Sequence, residues 1–307
     1  MVKKNKIIPL WDSVGKQFKN FDLYNFREIG QINERLGTWG PISNNTRYYK
    51  SLMYEFCYYL DNDKIVNQDE NSPRIKDIYK NINNQNVGNP ICIEYEGMTL
   101  SMDYILSIEE IKFLHSHLRI KKVIAEIGAG FGRTAHAIIS NFDIEKYYII
   151  DLPVMLELSK AFLKHVLNNE QYSKLNFLTP DSISVLQNID LVINIDSMQE
   201  MMKDSATEYL EWISVNAGSF FSKNAMGKYD PAEIGLKIEN TAQYNSALNM
   251  GLMQENFSLF NSIARKDAVE QYHSAFCPAE FELTKHQRGF GQYLSYQLAL
   301  YNKRPGK

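Results

Sequence analysis

Between Glu126 and Thr134 the chain reads EIGAGFGRT, which places a carboxylate and three glycines, Gly128, Gly130 and Gly132, in close succession. Glycine adopts backbone angles closed to other residues, and without a Cβ it lets a ligand approach the main chain. Such a run between a strand and a helix suits a nucleotide-like ligand. A second set of residues offers proton transfer: Asp196 and Glu200 in NIDSMQEM, and His273 in QYHSAF. The elements needed to position the glycines are legible around them. Val123, Ile124 and Ala125 form a short apolar run, and Ala135, Ala137, Ile138 and Ile139 recur on one face at helical spacing.

The glycine spacing is G-x-G-x-G, and Arg133 stands where the dinucleotide fingerprint G-x-G-x-x-G has its last glycine. Glu126 would repel a pyrophosphate but suit a cation. S-adenosylmethionine carries both an ammonium and a sulfonium. With these residues in place, E-x-G-x-G-x-G resembles the first motif of the class I S-adenosylmethionine-dependent methyltransferases. Later segments agree. KYYIID, from Lys146 to Asp151, reads as a strand ending in an acid about 20 residues on, where doubly wound nucleotide folds place a ribose-binding carboxylate. LNFLTPD ends in Asp181, and IDLVINIDS, from Ile189 to Ser197, reads as the fourth strand. The resemblance implies a cofactor set of Glu126, Gly128, Ala129, Gly130, Gly132, Asp151, Leu152, Asp181, Ser182 and Asn194, with Asp151 on the ribose and Asp181 or its neighbours on the adenine.

EIGAGFGRT, IIDLP at Ile149 to Pro153, and NIDSMQEM together are similar to the bacterial sugar O-methyltransferase family. That resemblance covers the middle and C-terminal two thirds of the chain and implies a sugar or nucleotide-sugar hydroxyl as acceptor, in the making of surface glycans such as capsule or lipopolysaccharide. Enzymes that methylate exocyclic amines of nucleobases resemble one another in an Asn or Asp followed by Pro-Pro and an aromatic after the fourth strand. Here Asn194 is followed by Ile195, Asp196 and Ser197, which favours an oxygen acceptor. The competing readings are an O-methyltransferase for a non-sugar metabolite, a nicotinamide oxidoreductase, against which Glu126 and Arg133 argue, and a scaffold that binds cofactor without turnover.

The net charge of −3 offers no footprint for nucleic acid. With 44% hydrophobic and 22% charged residues the composition is that of an ordinary globular protein. No run approaches the roughly 20 apolar residues of a membrane helix, and the basic Met1–Lys6 is followed only by IIPLW, too short for a signal peptide. A cytoplasmic protein is expected. Cys57, Cys92 and Cys277 are odd in number and far apart, which favours reduced, structural thiols over disulfides or a zinc site.

At 307 residues the chain exceeds a usual single domain. The expected fold class is α/β: a doubly wound, Rossmann-like methyltransferase sheet with a helical N-terminal region and C-terminal additions. The turn-rich NINNQNVGNP, Asn81 to Pro90, suggests a division into an accessory region, 1–90, and a catalytic domain, 91–307. Within it, TRYYKSLMYEFCYYL reads as a helix, ICIEYEG as a hairpin arm, and Ser101 as the cap of the helix that follows. Pro153–Leu167 and Ser205–Asn216 read as amphipathic helices and 218–222 as a fifth strand. The stretch from Tyr244 to Asn261 reads as a helical cap over the site, and QYLSYQLALYN as a last strand at the sheet edge.

Several residues carry two readings. Asp151 precedes Pro153 and would serve as a helix start as well as a ribose acceptor. Asp181 would cap the helix DSISVLQ. Methyl transfer to a hydroxyl needs alignment of oxygen, methyl and sulfur, and a base for the proton. Asp196, Glu200 and His273 are the candidates for that base, with a solvated helix start and a satisfied core histidine as the plain alternatives. Asp196 and Glu200 without a third ligand do not make a metal site, and His136 reads as structural. The aromatic stripe Tyr48, Tyr49, Tyr54, Phe56, Tyr58 and Tyr59 suits helix core or a homodimer interface better than sugar stacking.

Overall fold

A computed structural model describes residues 21–27, 46–62, 73–235, 241–289 and 296–305. The segments Met1–Lys6 and IIPLW, and the start of QYLSYQLALYN, lie outside the described residues. The described residues divide into two compact units: one comprises those within Pro9–Ile124 and Ala129–Thr179, the other Ala125–Gly128 with those from Pro180 onward.

In the first unit, helix α1 (Thr46–Asn62) and the short α2 (Ile75–Tyr79) precede a hairpin of β1 (Cys92–Tyr95) and β2 (Met98–Ser101), then α3 (Met102–Leu118). On α1, Tyr49, Met53, Phe56 and Leu60 are buried at helical spacing, whereas Tyr54 and Tyr58 are exposed. The stripe therefore splits into a core face and an outer face, and the side chain of Tyr48 lies outside the described residues. Ser101 does end the hairpin and begin α3, but its hydroxyl accepts from Arg27 Nη2 at 2.7 Å instead of capping the helix. Arg27 is fully buried. It donates to Asp103 Oδ2 at 2.8 Å and to the carbonyls of Gln85 and Val87, and Phe26 beside it packs edge-on to Phe131 and Phe162. The turn-rich stretch before Pro90 is irregular, as its composition predicts, and Arg27 holds it to α3.

After β3 (Val123–Ile127) come α4 (Arg133–Asn141), β4 (Lys146–Ile150), α5 (Pro153–Val166), α6 (Asn169–Ser173) and β5 (Leu175–Leu178). Pro153 stands in the first turn of α5, where its missing N–H costs nothing. In the second unit, β6 (Leu191–Ile195), α7 (Lys203–Asn216) and β7 (Ser219–Ala225) continue the alternation. They are followed by α8 (Thr241–Leu248), α9 (Ser262–Ala275), β8 (Phe281–Arg288) and β9 (Tyr296–Lys303). Asn261 caps α9 by accepting from the N–H groups of Ile263 and Ala264.

The main sheet has the order β5-β4-β3-β6-β7-β9-β8. β4 and β5 pair in parallel, as do β6 and β7, and β9 is antiparallel to both its neighbours. The fold is α/β and doubly wound, with the reversal of strand order between β3 and β6, the place beyond whose carboxyl ends such sheets bind ligands. The expectation for QYLSYQLALYN is corrected in one respect: β9 is interior, and the edge strand is β8. β9 is buried along nearly its whole length, whereas β8 alternates between covered and exposed residues. The stretch after α8, through Asn261, is irregular, so the helical reading holds only as far as Leu248. Among the described residues no helix is long and apolar enough to cross a membrane.

Candidate functional site

The three glycines of the run all have positive φ, and each is needed for a different reason. In the first unit a Cβ on Gly132 would lie 2.7 Å from Leu163 Cδ1, so this glycine lets α5 pack against the start of α4. A Cβ on Gly130 would meet nothing within 4 Å. It borders open space, the property a ligand-approach position requires. Ala129 between them is buried. Arg133, which the dinucleotide pattern would replace with glycine, makes a bidentate pair with Glu110, both contacts 2.9 Å, and donates to Ser107 Oγ at 2.7 Å. It fastens α4 to α3 and is committed to that structural task.

Asp151, just past β4, holds the loop from below. Its Oδ2 accepts from Gly130 N at 2.8 Å and its Oδ1 from Leu152 N at 2.7 Å. The structure thus brings Gly130, Asp151 and Leu152 together. The cap of α5 is Leu152, so Asp151 contributes one residue ahead of the helix start. Burial raises the Asp151 carboxyl to about 6, against the two backbone hydrogen bonds, from Leu152 and Gly130, that lower it. Each oxygen keeps a second lone pair for a ligand hydroxyl.

In the second unit, a Cβ on Gly128 would lie 2.2 Å from both Cβ and Oγ of Ser197, so Gly128 exists for the residue after Asp196. Glu126 is buried at the end of β3. Asn194 is fully buried in β6. Its Nδ2 donates to Ile127 O at 2.9 Å and to Ser197 Oγ, and its Oδ1 accepts from Met198 N at 3.3 Å and Asn224 Nδ2 at 2.9 Å. With all of these contacts internal, the Asn194 side chain braces β3 against β6. A cofactor contact at Asn194 belongs to the proposal below. The brace continues through Asn224 and Ser222 on β7 to the Tyr272 hydroxyl on α9, which is 2.8 Å from Ser222 Oγ and donates to Gln297 O at 3.2 Å.

Asp196 leaves β6 at φ +63°, a left-handed conformation that Asp tolerates better than most residues. Gln199 fixes it: Nε2 donates to Asp196 Oδ1 at 2.9 Å and to the Tyr296 hydroxyl, while Oε1 accepts from Ala225 N at 2.7 Å. Glu200 closes the same short turn, its N–H donating to Ser197 O at 3.1 Å. Asp196 and Glu200 therefore share the rim beyond β6. His273 does not join them. It lies on α9 with its ring 4.5 Å from that of His286 on the edge strand β8, and burial together with His286 lowers it to about 4. Such an imidazole is neutral at pH 7, and its ring packs against the outermost strand.

Asp181 lies in the first turn of a short 3₁₀ helix, Pro180–Val185. It is exposed and takes no hydrogen bond among the described residues, so it does not cap that helix. Ser182 beside it is part-buried. His136 is buried, hydrogen-bonded to the Tyr104 hydroxyl at 2.7 Å, and lowered to about 3 by burial, in keeping with a structural role. Among the described residues no group of three or more His, Cys, Asp or Glu is placed to hold a metal ion. Ser197 and Gln199 were not singled out from sequence. The signal for Ser197 was Gly128, whose strictness has its cause in a residue far along the chain.

No family model matches the chain, and no curated protein matches it. Among solved structures it is similar to magnesium protoporphyrin IX methyltransferase from Synechocystis PCC 6803 with bound S-adenosylhomocysteine. That match has 11% identity and a TM-score of 0.45, covering 84% of this chain and 98% of that one. It is also similar to mitomycin 7-O-methyltransferase, at 8% identity and a TM-score of 0.42, covering 65% of this chain and 57% of that one, a little over half its length. A third is a protein of M. capricolum in complex with S-adenosylhomocysteine, at 11% identity and a TM-score of 0.39, covering 63% of this chain and 67% of that one. The activities in those names belong to those proteins.

Proposed function

We propose that this chain transfers a methyl group from S-adenosylmethionine to a hydroxyl of a sugar or nucleotide-sugar. The observation that carries the cofactor part is the pairing of Gly130, whose missing side chain borders open space, with Asp151, whose carboxylate is fixed by two backbone N–H groups and keeps lone pairs for ribose hydroxyls. The buried carboxylate of Glu126 supplies the negative charge that suits a cationic ligand and not a pyrophosphate. The division into an accessory region, 1–90, and a catalytic domain, 91–307, belongs to the same proposal. In it, residues such as Arg27 and Phe26 support the glycine run.

The reaction is an in-line displacement. The acceptor oxygen forms a bond to the methyl carbon as the carbon–sulfur bond breaks, its electron pair passing to sulfur to leave S-adenosylhomocysteine. Alignment of the three atoms is the main task, worth about 7 to 11 kcal/mol in favourable systems. Asp196, clamped by Gln199 in a left-handed conformation, is the base we assign to the hydroxyl proton, with Glu200 the second carboxylate of the same turn. The test is calorimetric titration of the purified protein with S-adenosylhomocysteine and, separately, NADH. Micromolar binding of the first with no response to the second supports the proposal. NADH binding alone overturns it, and binding of neither favours a scaffold.

A further inference from the structure

Lys228 follows β7 by three residues, on the same rim as Asp196 and Glu200. Its backbone is fixed on both sides by the stretch after α8: its N–H donates to Glu255 O at 3.1 Å, and Phe257 N donates to its carbonyl at 3.0 Å. Gly227 before it, at φ +156°, lies so close to that stretch that a Cβ would be 3.0 Å from Phe257 Cδ1 and 3.2 Å from Glu255 O. The backbone from which the side chain leaves is therefore fixed. The residue is part-buried, and its ammonium, which still reaches solvent, makes no hydrogen bond or ion pair among the described residues. Burial lowers its pKa, and Glu200 across the rim raises it. Tyr229 next to it is likewise part-buried, its phenol raised by burial, and it also makes no side-chain hydrogen bond among the described residues.

An ammonium offers three donors and no acceptor. Drawing it partly out of water without an internal partner has a cost that a bound anion would offset. We infer that Lys228, with Tyr229 beside it, binds an anionic group on the methyl acceptor, either a phosphate or a sugar carboxylate. This rests on the methyltransferase reading and narrows it: the acceptor is a nucleotide-sugar or an acidic sugar, and a neutral glycan is disfavoured. Glu200 is the opposing charge at this rim, so it keeps the bound anion on the far side of the ammonium and weakens its binding.

The experiment is calorimetric titration of the protein saturated with S-adenosylhomocysteine, using inorganic pyrophosphate in one arm and D-glucuronate in the other. One probe is expected to bind. Lys228→Gln should weaken that probe at least tenfold while leaving the affinity for S-adenosylhomocysteine within twofold, Lys228→Arg should restore it, and Glu200→Gln should tighten it. Pyrophosphate binding points to a nucleotide-sugar and glucuronate binding to an acidic sugar. Binding of neither probe, or equal binding by Lys228→Gln, overturns the inference. If S-adenosylhomocysteine itself fails to bind, the methyltransferase reading falls. The same titrations on the protein alone then still decide whether Lys228 is an anion site.

Discussion

The glycine run and the rim beyond β6 and β7 both hold a loop still, but with partners drawn from different sequence distances. Gly130 is tied to Asp151, 21 residues on, and Gly132 gives way to Leu163 on the next helix. At the rim, Gln199 reaches Tyr296 across 97 residues, Ser222 reaches Tyr272 across 50, and Gly227 is pressed by Phe257. Gly130 and Gly132 are thus matched to the strand and helix that follow them, with Phe26 and Arg27, packed on Phe131, as their remote support. The rim beyond β6 and β7 depends on additions that come much later in the chain. One scaffold can thus keep its first ligand while later segments change the second.

The sharpest way to break this comparison is to remove a support of the glycine run that is remote in sequence. Arg27→Ala leaves Asp103 buried and unpaired, and unfolding in urea should show a loss of about 3 to 5 kcal/mol. A small loss would mean that the segment before residue 90 is dispensable. Next, Gly132→Val combines a strained positive φ with overlap on Leu163 and should cost about 2 to 5 kcal/mol. Gly130→Ala meets no neighbour and should cost only about 1 kcal/mol, while still weakening S-adenosylhomocysteine by filling the approach. If the two variants lost equal stability, the separate roles assigned to these glycines would be wrong.

Asp151→Ala should weaken S-adenosylhomocysteine by roughly ten- to a hundredfold, the loss of hydrogen bonds to a charged acceptor, about 1.5 to 3 kcal/mol. Wild-type affinity would remove the ribose assignment. The same residue sets a pH dependence. Its carboxyl titrates near 6 in the folded chain, above the ordinary value of about 4 for a free Asp. Between those values the folded state holds a proton that the unfolded state has lost, so this group's contribution to stability declines as pH rises through the window. Ligand binding should run the opposite way, since ribose hydroxyls require the ionised acceptor. Affinity measured by calorimetry should hold above pH 7 and fall as pH drops below about 6. The smallest effect is expected at His273: His273→Ala should leave S-adenosylhomocysteine binding within twofold, because that ring packs against His286 on the edge strand.

What was legible follows the same division. The strand, turn and helix around Gly128 to Gly132 could be read because apolar periodicity and glycine chemistry are local, and Pro153 marked the start of α5 for the same reason. β8 left no such mark. Its FELTKHQR mixes Glu282, Lys285, His286 and Arg288 among few apolar residues, as suits an edge strand that must resist pairing with other chains. The reading of β7 ended near Ser222, although the strand runs on to Ala225, because Lys223 and Asn224 look like loop residues until their burial in the sheet is seen. The bracing by Asn194 is hidden for a related reason: it takes the carbonyl of Ile127 and the side chains of Ser197 and Asn224, which the sequence does not place beside it. Lys228 carried no signal, since its position depends on Gly227 and a stretch some thirty residues further on.

The insertion of β9 between β7 and β8 has a consequence for biosynthesis. During synthesis β7 leaves the ribosome with one edge open, and the strand that will occupy it emerges only after α8, α9 and β8 have been made. Pairing over such separations is slow to form and leaves a sheet edge available to other chains meanwhile. Because Gln199 completes its clamp on Asp196 with the hydroxyl of Tyr296 from β9, a nascent chain would acquire its glycine loop well before the rim beyond β6 and β7. The two regions would then be completed at well-separated moments of synthesis, the rim last.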